Sequence, residues 1–149
     1  MTLKELSEFL TVRKADFELI QHEKPVISVD DALALFEPEQ CAPVFVLQSN
    51  NQGLIALIVN AQRGKINLKQ MAKDLNYASL RLADPKVVQQ ATGYKAGCVP
   101  LIGHKLPCLF DKALTIHDYI YGSTGDPQCT MKIKPEDVIR FNNVISFIE

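Results

Sequence analysis

Val44-Phe-Val-Leu-Gln-Ser-Asn-Asn-Gln-Gly-Leu-Ile-Ala-Leu-Ile-Val59 is the stretch that sets the fold class. Two apolar runs, Val44–Gln48 and Leu54–Val59, flank turn chemistry at Ser49–Gly53. A strand buried on both faces needs apolar side chains on both, so the pair predicts a hairpin inside the core. Upstream, Thr2-Leu-Lys-Glu5 is a capping box. Leu3, Leu6 and Leu10 share one face and predict a helix to about Arg13. Asp16–His22 reads as a strand, and Ser28–Asp31 opens a short helix to Leu35 or Phe36. Downstream, Asn67–Gln70 is a second capping box. Leu68, Met71, Ala72 and Leu75 follow at helical spacing, with Asn76 as a left-handed stop. Asp84-Pro85 starts a helix that Gly93 ends, and Lys134-Pro135 starts the last one. Ser79–Ala83, Leu106–Phe110, Thr115–Tyr121 and Gln128–Ile133 read as strands. Gly122–Pro127 reads as a tight turn, and Val144–Ile148 as a short strand or tail. Helices and strands mix without strict βαβ alternation, so the expected class is α+β with one curved mixed sheet.

The chain has 149 residues, 47% hydrophobic and 22% charged, which suits one globular domain over residues 1–149. No apolar run approaches a membrane span, and Met1–Leu6 lacks the apolar core of a signal peptide, so the expected location is the cytoplasm, with no membrane partner. Cys41, Cys98, Cys108 and Cys129 form no C-x-x-C pair, so reduced, buried thiols are expected, with no metal and no cofactor. The net charge of −1 hides an uneven spread. Residues 61–112 carry 9 basic and 3 acidic side chains, whereas residues 1–60 carry 4 basic and 9 acidic. A polyanion docking on the middle third is physically reasonable; solvated lysines are the plainer explanation.

That basic third contains Gly93-Tyr-Lys-Ala-Gly-Cys-Val-Pro-Leu-Ile-Gly-His104, with three of the seven glycines. Such density marks backbone that bends sharply or lets something approach closely, and Pro100 stiffens it. The stretch reads as the floor of a small-ligand site, or else as a helix stop and an ordinary loop.

Several segments then resemble one family in order. They are Phe17–Glu23, Asn67–Leu75, Arg81–Val88, Thr92–His104, Asp111 and Gly122–Pro127. Together they are similar to the YbaK/prolyl-tRNA synthetase-associated domain family. Its members are aminoacyl-tRNA deacylases, free-standing or inserted, that hydrolyse mischarged tRNA, including mischarged tRNA-Pro. The resemblance implies a curved mixed sheet, nearly a barrel, flanked by helices. It also implies the tRNA acceptor end as partner, and allows an aminoacyl-tRNA synthetase as a second. In one place the chain departs from the pattern. The family carries a lysine at the start of the core strand, and Pro43 stands in its place. A non-catalytic module that binds an amino acid or aminoacyl-tRNA is therefore the alternative.

The implied bond is an activated ester, so amide donors for an oxyanion and a placed water or ribose hydroxyl would suffice. Gly97, Pro100 and Gly103 match the family's functional loop, with backbone N–H groups at Gly97–Val99 and Gly103 as donors. His104 could hold a water or ribose hydroxyl. His22, Pro43, Cys98 and Val99 are candidates for the substrate-binding wall, and Lys95 and Lys105 for charge or phosphate. Cys98 as a nucleophile lacks any sequence sign of a histidine base. Each has a plainer reading: turn residue, structural histidine, buried thiol or solvated lysine.

Overall fold

The computed structural model describes residues 1–50 and 53–149. Asn51 and Gln52, the centre of the expected turn Ser49–Gly53, lie outside the described residues. The hairpin forms as the apolar runs require. β2 (Val44–Ser49) pairs antiparallel with β3 (Leu54–Ile58), Val44 opposite Ile58 and Gln48 opposite Leu54. Both faces are buried, but in different cores. Val44, Val46, Ala56 and Ile58 join one apolar cluster, and Leu47, Ile55 and Leu57 join the other. That is why neither run alternates with polar residues.

Ahead of the hairpin come α1 (Leu3–Val12), β1 (Phe17–Gln21) and α2 (Val29–Leu33). After it come α3 (Leu68–Asp74), β4 (Leu80–Leu82), α4 (Pro85–Thr92) and β5 (Pro107–Asp111). β6 (Ile120–Ser123), β7 (Cys129–Ile133), α5 (Pro135–Arg140) and β8 (Asn143–Ile148) complete the chain. The capping box at Thr2 and Glu5 closes both ways, and Leu6 and Leu10 bury its face of α1. Gly93 ends α4 in the left-handed conformation, as expected of a C-terminal glycine.

The class is α+β, and the strands divide into two sheets rather than one. β4-β2-β3-β5-β8 is a mixed sheet, parallel at β3–β5 and β5–β8, and β1-β7-β6 is antiparallel. Among the described residues one isolated bridge, Cys41 to Tyr121, links them, and the sheet does not close into a barrel. The first core fills the space between the sheets with α1 and α5, including Leu6, Leu10, Phe110, Ile120, Met131 and Val138. α3 covers the opposite face through Met71 and Ala72.

One expected strand is corrected. Within Thr115–Tyr121, the chain first makes a 3-10 turn, Lys112–Ile116, begun by the Ala113 N–H donating to Asp111 Oδ1 at 2.9 Å. The strand starts only at Ile120 and runs through Gly122, which was expected in the turn. A Cβ at Gly122 would overlap the Leu101 side chain, so the glycine is there for close packing.

Candidate active site

A cavity of about 490 Å³ opens between the start of β2 and the three-stranded sheet. Pro43, Val44, Phe45 and Val46 form one wall, and Tyr121, Gly122, Ser123, Cys129 and Thr130 face them. Val26–Val29, Ala32 and Phe36 close one side. Phe36 is fixed by stacking on Tyr121, ring centroids 4.6 Å apart. Leu82, Ala83, Pro85, Val88 and the 3-10 turn Ala96–Cys98 close the other. The walls are mostly apolar. Ser28, Ser123, Asp126 and Thr130 supply side-chain polarity, and among the described residues no lysine, arginine or histidine lines the cavity.

The glycine loop reaches this cavity at its first turn only. Gly97 and Cys98 line it, as does Pro43. A Cβ on Gly97 would fall inside the Ile27 carbonyl oxygen and 3.0 Å from the carbonyl carbon. The loop and the segment before α2 thus meet backbone to backbone. The Cys98 N–H donates to Lys95 O at 2.8 Å. The Ala96 and Gly97 N–H groups open the turn and have no partner within it. Leu101 N–H donates to Ser123 O at 3.0 Å, which ties the loop to β6.

The remaining expected site residues stand away from the wall. Val99 and Pro100 are buried behind the turn, and Gly103 bends at φ 102° further on. His104 is buried; its Nδ1 accepts the Leu106 N–H at 3.0 Å, and its Nε2 has no hydrogen-bond partner. Burial pushes the ring's proton affinity down, with Asn142 acting in the opposite direction. It is a structural histidine that fixes the turn through Lys105, which sits at φ 64° with its side chain outside the cavity wall. His22 is one step behind the wall: Nε2 bonds Thr130 Oγ1 at 2.9 Å and Nδ1 bonds Lys24 O at 2.7 Å. Lys95 is exposed beside the turn.

The aminoacyl-tRNA editing domain family matches over residues 23–141. The chain belongs to that family. The fold of this editing domain also occurs in solved structures. One is hypothetical protein APE2540, at TM-score 0.83, 20% identity and coverage of 96% of this chain and 97% of that one. Another is a candidate trans-editing enzyme for prolyl-tRNA synthetase, at TM-score 0.79, 18% identity and coverage of 98% and 96%. A third is a candidate signal transduction protein from Marinobacter aquaeolei VT8, at TM-score 0.68 and 15% identity, where the match spans 99% of this chain but 30% of that one.

Sequence reasoning missed half of the editing domain's cavity. The Val26–Phe36 side carries no site signature, and Asp126 lies in the Gly122–Pro127 segment, whose composition signals a turn. Asp126 had been read only as a turn residue. Its Oδ1 does accept the Gln128 N–H at 2.9 Å, and the residue also lines the cavity. Burial pushes the Cys98 thiol up, Lys95 opposes this and Asp126 adds to it, so the thiol stays protonated near neutral pH. Asp111 serves structure instead. Its fully buried carboxylate accepts from Arg63 Nε at 2.7 Å, Arg63 Nη2 at 2.9 Å, and the Asn60 and Ala113 amides. Asn60 in turn donates to Glu39 O at 2.8 Å, next to the chain that leads into Pro43.

Proposed function

We propose that this editing domain hydrolyses the ester of a mischarged aminoacyl-tRNA in trans, with the aminoacyl group held in the cavity. The observation that carries the reading is that Gly97–Cys98 of the glycine loop and Pro43 at the start of the central hairpin line one apolar cavity. The ester is already activated, so the protein's task is placement and oxyanion stabilisation. The unpartnered amides that open the Ala96–Cys98 turn are the candidate donors. Attack comes from a water or from the vicinal ribose hydroxyl; among the described residues no histidine lines the wall, and burial keeps the Cys98 thiol protonated. The walls act as a sieve. They suit a neutral side chain, while Asp126 favours the substrate's ammonium group and repels an acidic one.

The second reading, a module that binds without turnover, is favoured by one observation: Pro43, which stands where the family resemblance implies a lysine, lines the cavity, and among the described residues no cation does. A hydrolysis screen over a panel of mischarged tRNAs separates the two, with Pro43→Lys run beside the natural protein. Turnover of one or more members by the natural protein is expected. Tight binding of an aminoacyl-tRNA with no turnover across the panel would overturn the deacylase reading.

A further inference from the structure

The two lips of the cavity carry opposite charge. On one lip, Arg81 adjoins Leu82, Lys86 stands between Pro85 and Val88, and Lys95 adjoins Ala96; these four neighbours all line the cavity. The three cations are exposed, and none lies within ion-pair distance of a carboxylate among the described residues. Arg81 pairs with Gln48 across β4 and β2. Paired residues project from the same face, and Gln48 shares its face with the cavity residues Val44 and Val46, so Arg81 leaves the sheet on the cavity side. Asp84 is the one carboxylate of this lip, and its Oδ1 accepts the Lys86 N–H at 2.8 Å. Val87, 39% exposed, adjoins Lys86, whereas Leu82, paired with Leu47, leaves the opposite face of β4 from Arg81. The opposite lip, residues 26–40, carries Asp30, Asp31, Glu37 and Glu39 and no lysine or arginine.

We infer that the unpaired 3′ strand of the tRNA reaches the cavity over the β4–α4 lip, with its phosphates on Arg81, Lys86 and Lys95, and is turned away from the acidic α2 lip. The inference rests on the reading that the cavity takes the aminoacyl end. Three cations beside an exposed apolar side chain suit a single strand, whose phosphates need charge and whose unstacked bases need an apolar surface. A duplex offers phosphates alone on its outer face. The arrangement leaves the cavity interior without a cation while the polyanion is held at its rim. Phosphate attraction then does not draw phosphate into the acyl site.

The magnitude follows from counterion release. Three phosphate contacts on a single strand contribute a slope of about 2 in log affinity against log salt, or roughly a 20-fold loss between 50 and 200 mM. The probe is an unacylated RNA minihelix with a single-stranded tRNA 3′ end, titrated over that salt range. The triple variant Arg81→Ala/Lys86→Ala/Lys95→Ala should bind more weakly and lose about 2 from the slope. The control, Lys65→Ala/Lys69→Ala/Lys73→Ala, removes the same charge at and just before α3, which covers the opposite sheet face. It should keep the natural slope. Equal weakening by the two triples would reduce the effect to net charge and overturn the inference, as would an unchanged slope in the lip variant. Turnover of an aminoacyl-adenosine ester by the natural protein, a substrate without phosphate, reads the deacylase proposal separately. Binding at the lip with no turnover of any ester would sink that proposal and leave the docking surface standing.

Discussion

Gly97→Ala tests the contact that closes the cavity. Gly97 does not need a left-handed backbone, so alanine costs nothing in φ and ψ. The whole effect is steric. The new methyl would meet the Ile27 carbonyl oxygen, which must retreat by roughly 1.5 Å to regain ordinary van der Waals separation. Two partners can give way, and they are not equally held. Behind Gly97, Cys98, Val99 and Pro100 are buried and Leu101 is bonded to Ser123. Ile27 is 58% exposed, α2 has no buried residue, and the segment is fastened by Val26 N–H to Pro127 O and Ile27 N–H to Asp31 Oδ2. The Ile27 side therefore moves, and the cavity loses its fit there.

Displacing an exposed segment costs little stability. About 1 kcal/mol, the low end for overpacking, lowers the melting temperature by roughly 3 °C in a chain of this size. Catalysis is more sensitive: a misplacement of about 1 Å in a positioning wall costs on the order of 100-fold in rate. The assay is kcat/KM on the best mischarged tRNA from the screen, measured beside a thermal melt. A 100-fold fall with a small melting shift is the expected pair. Full activity in Gly97→Ala would refute the reasoning, because it would mean that the wall can open without consequence. A melting shift above roughly 10 °C would also count against it, since the rigid side would then have moved.

Cys98→Ala should keep near-natural turnover, because a thiol that burial holds protonated is no nucleophile; loss of hydrolysis with an intact melt would contradict this. Asp111→Asn should cost about 2 kcal/mol, below the usual range for a broken buried pair because the Arg63 side chain is 31% exposed, and a urea titration reads it. Burial alone would raise the Asp111 carboxyl, but Arg63 and the Asn60 and Ala113 amides outweigh it and hold the group below its ordinary value. Its stabilisation is therefore complete above about pH 4 and lost as pH falls through the lower folded value, and the variant should flatten that acid limb. Burial lowers the His104 ring in the same sense, so stability should begin to fall as pH drops below about 6.5. His104→Asn, whose side-chain oxygen can take the Leu106 N–H, should remove this slope; urea midpoints at neutral and mildly acid pH decide it.

Local signals in the sequence identify the elements whose cause is local. The hairpin is legible because both its faces are buried, and α1, α3 and α4 because their caps stand in the sequence. β6 is misplaced because its cause is remote. Thr115–Tyr121 has strand-like composition, but Asp111 caps a 3-10 turn there while it also holds Arg63 and Asn60 from another part of the chain. Gly122 resembles a turn glycine and is a strand glycine, because Leu101 fills the space of its missing side chain. The site follows the same rule. Gly97 and Pro43 are legible through family resemblance, whereas the Val26–Phe36 wall carries no motif and is defined only by what it faces. His104, adjacent to the loop in sequence, is directed into the protein by Leu106.

Pro43 shows how one residue can set both the strand and the chemistry. Val59 N–H donates to Pro43 O at 3.2 Å, and a proline has no N–H to return, so the β2 ladder stops there. The chain turns away through Ala42, whose N–H donates to Tyr121 O at 2.8 Å and joins the second sheet. The gap between the sheets, where the cavity lies, begins at the residue that ends the ladder. A lysine at position 43 would supply the missing N–H and add a cation at the edge of an apolar space that already holds Asp126 on its wall. On the deacylase reading, with proline there, main-chain N–H groups meet the negative charge that develops on the ester, and the Ala96–Cys98 turn brings such groups to the wall.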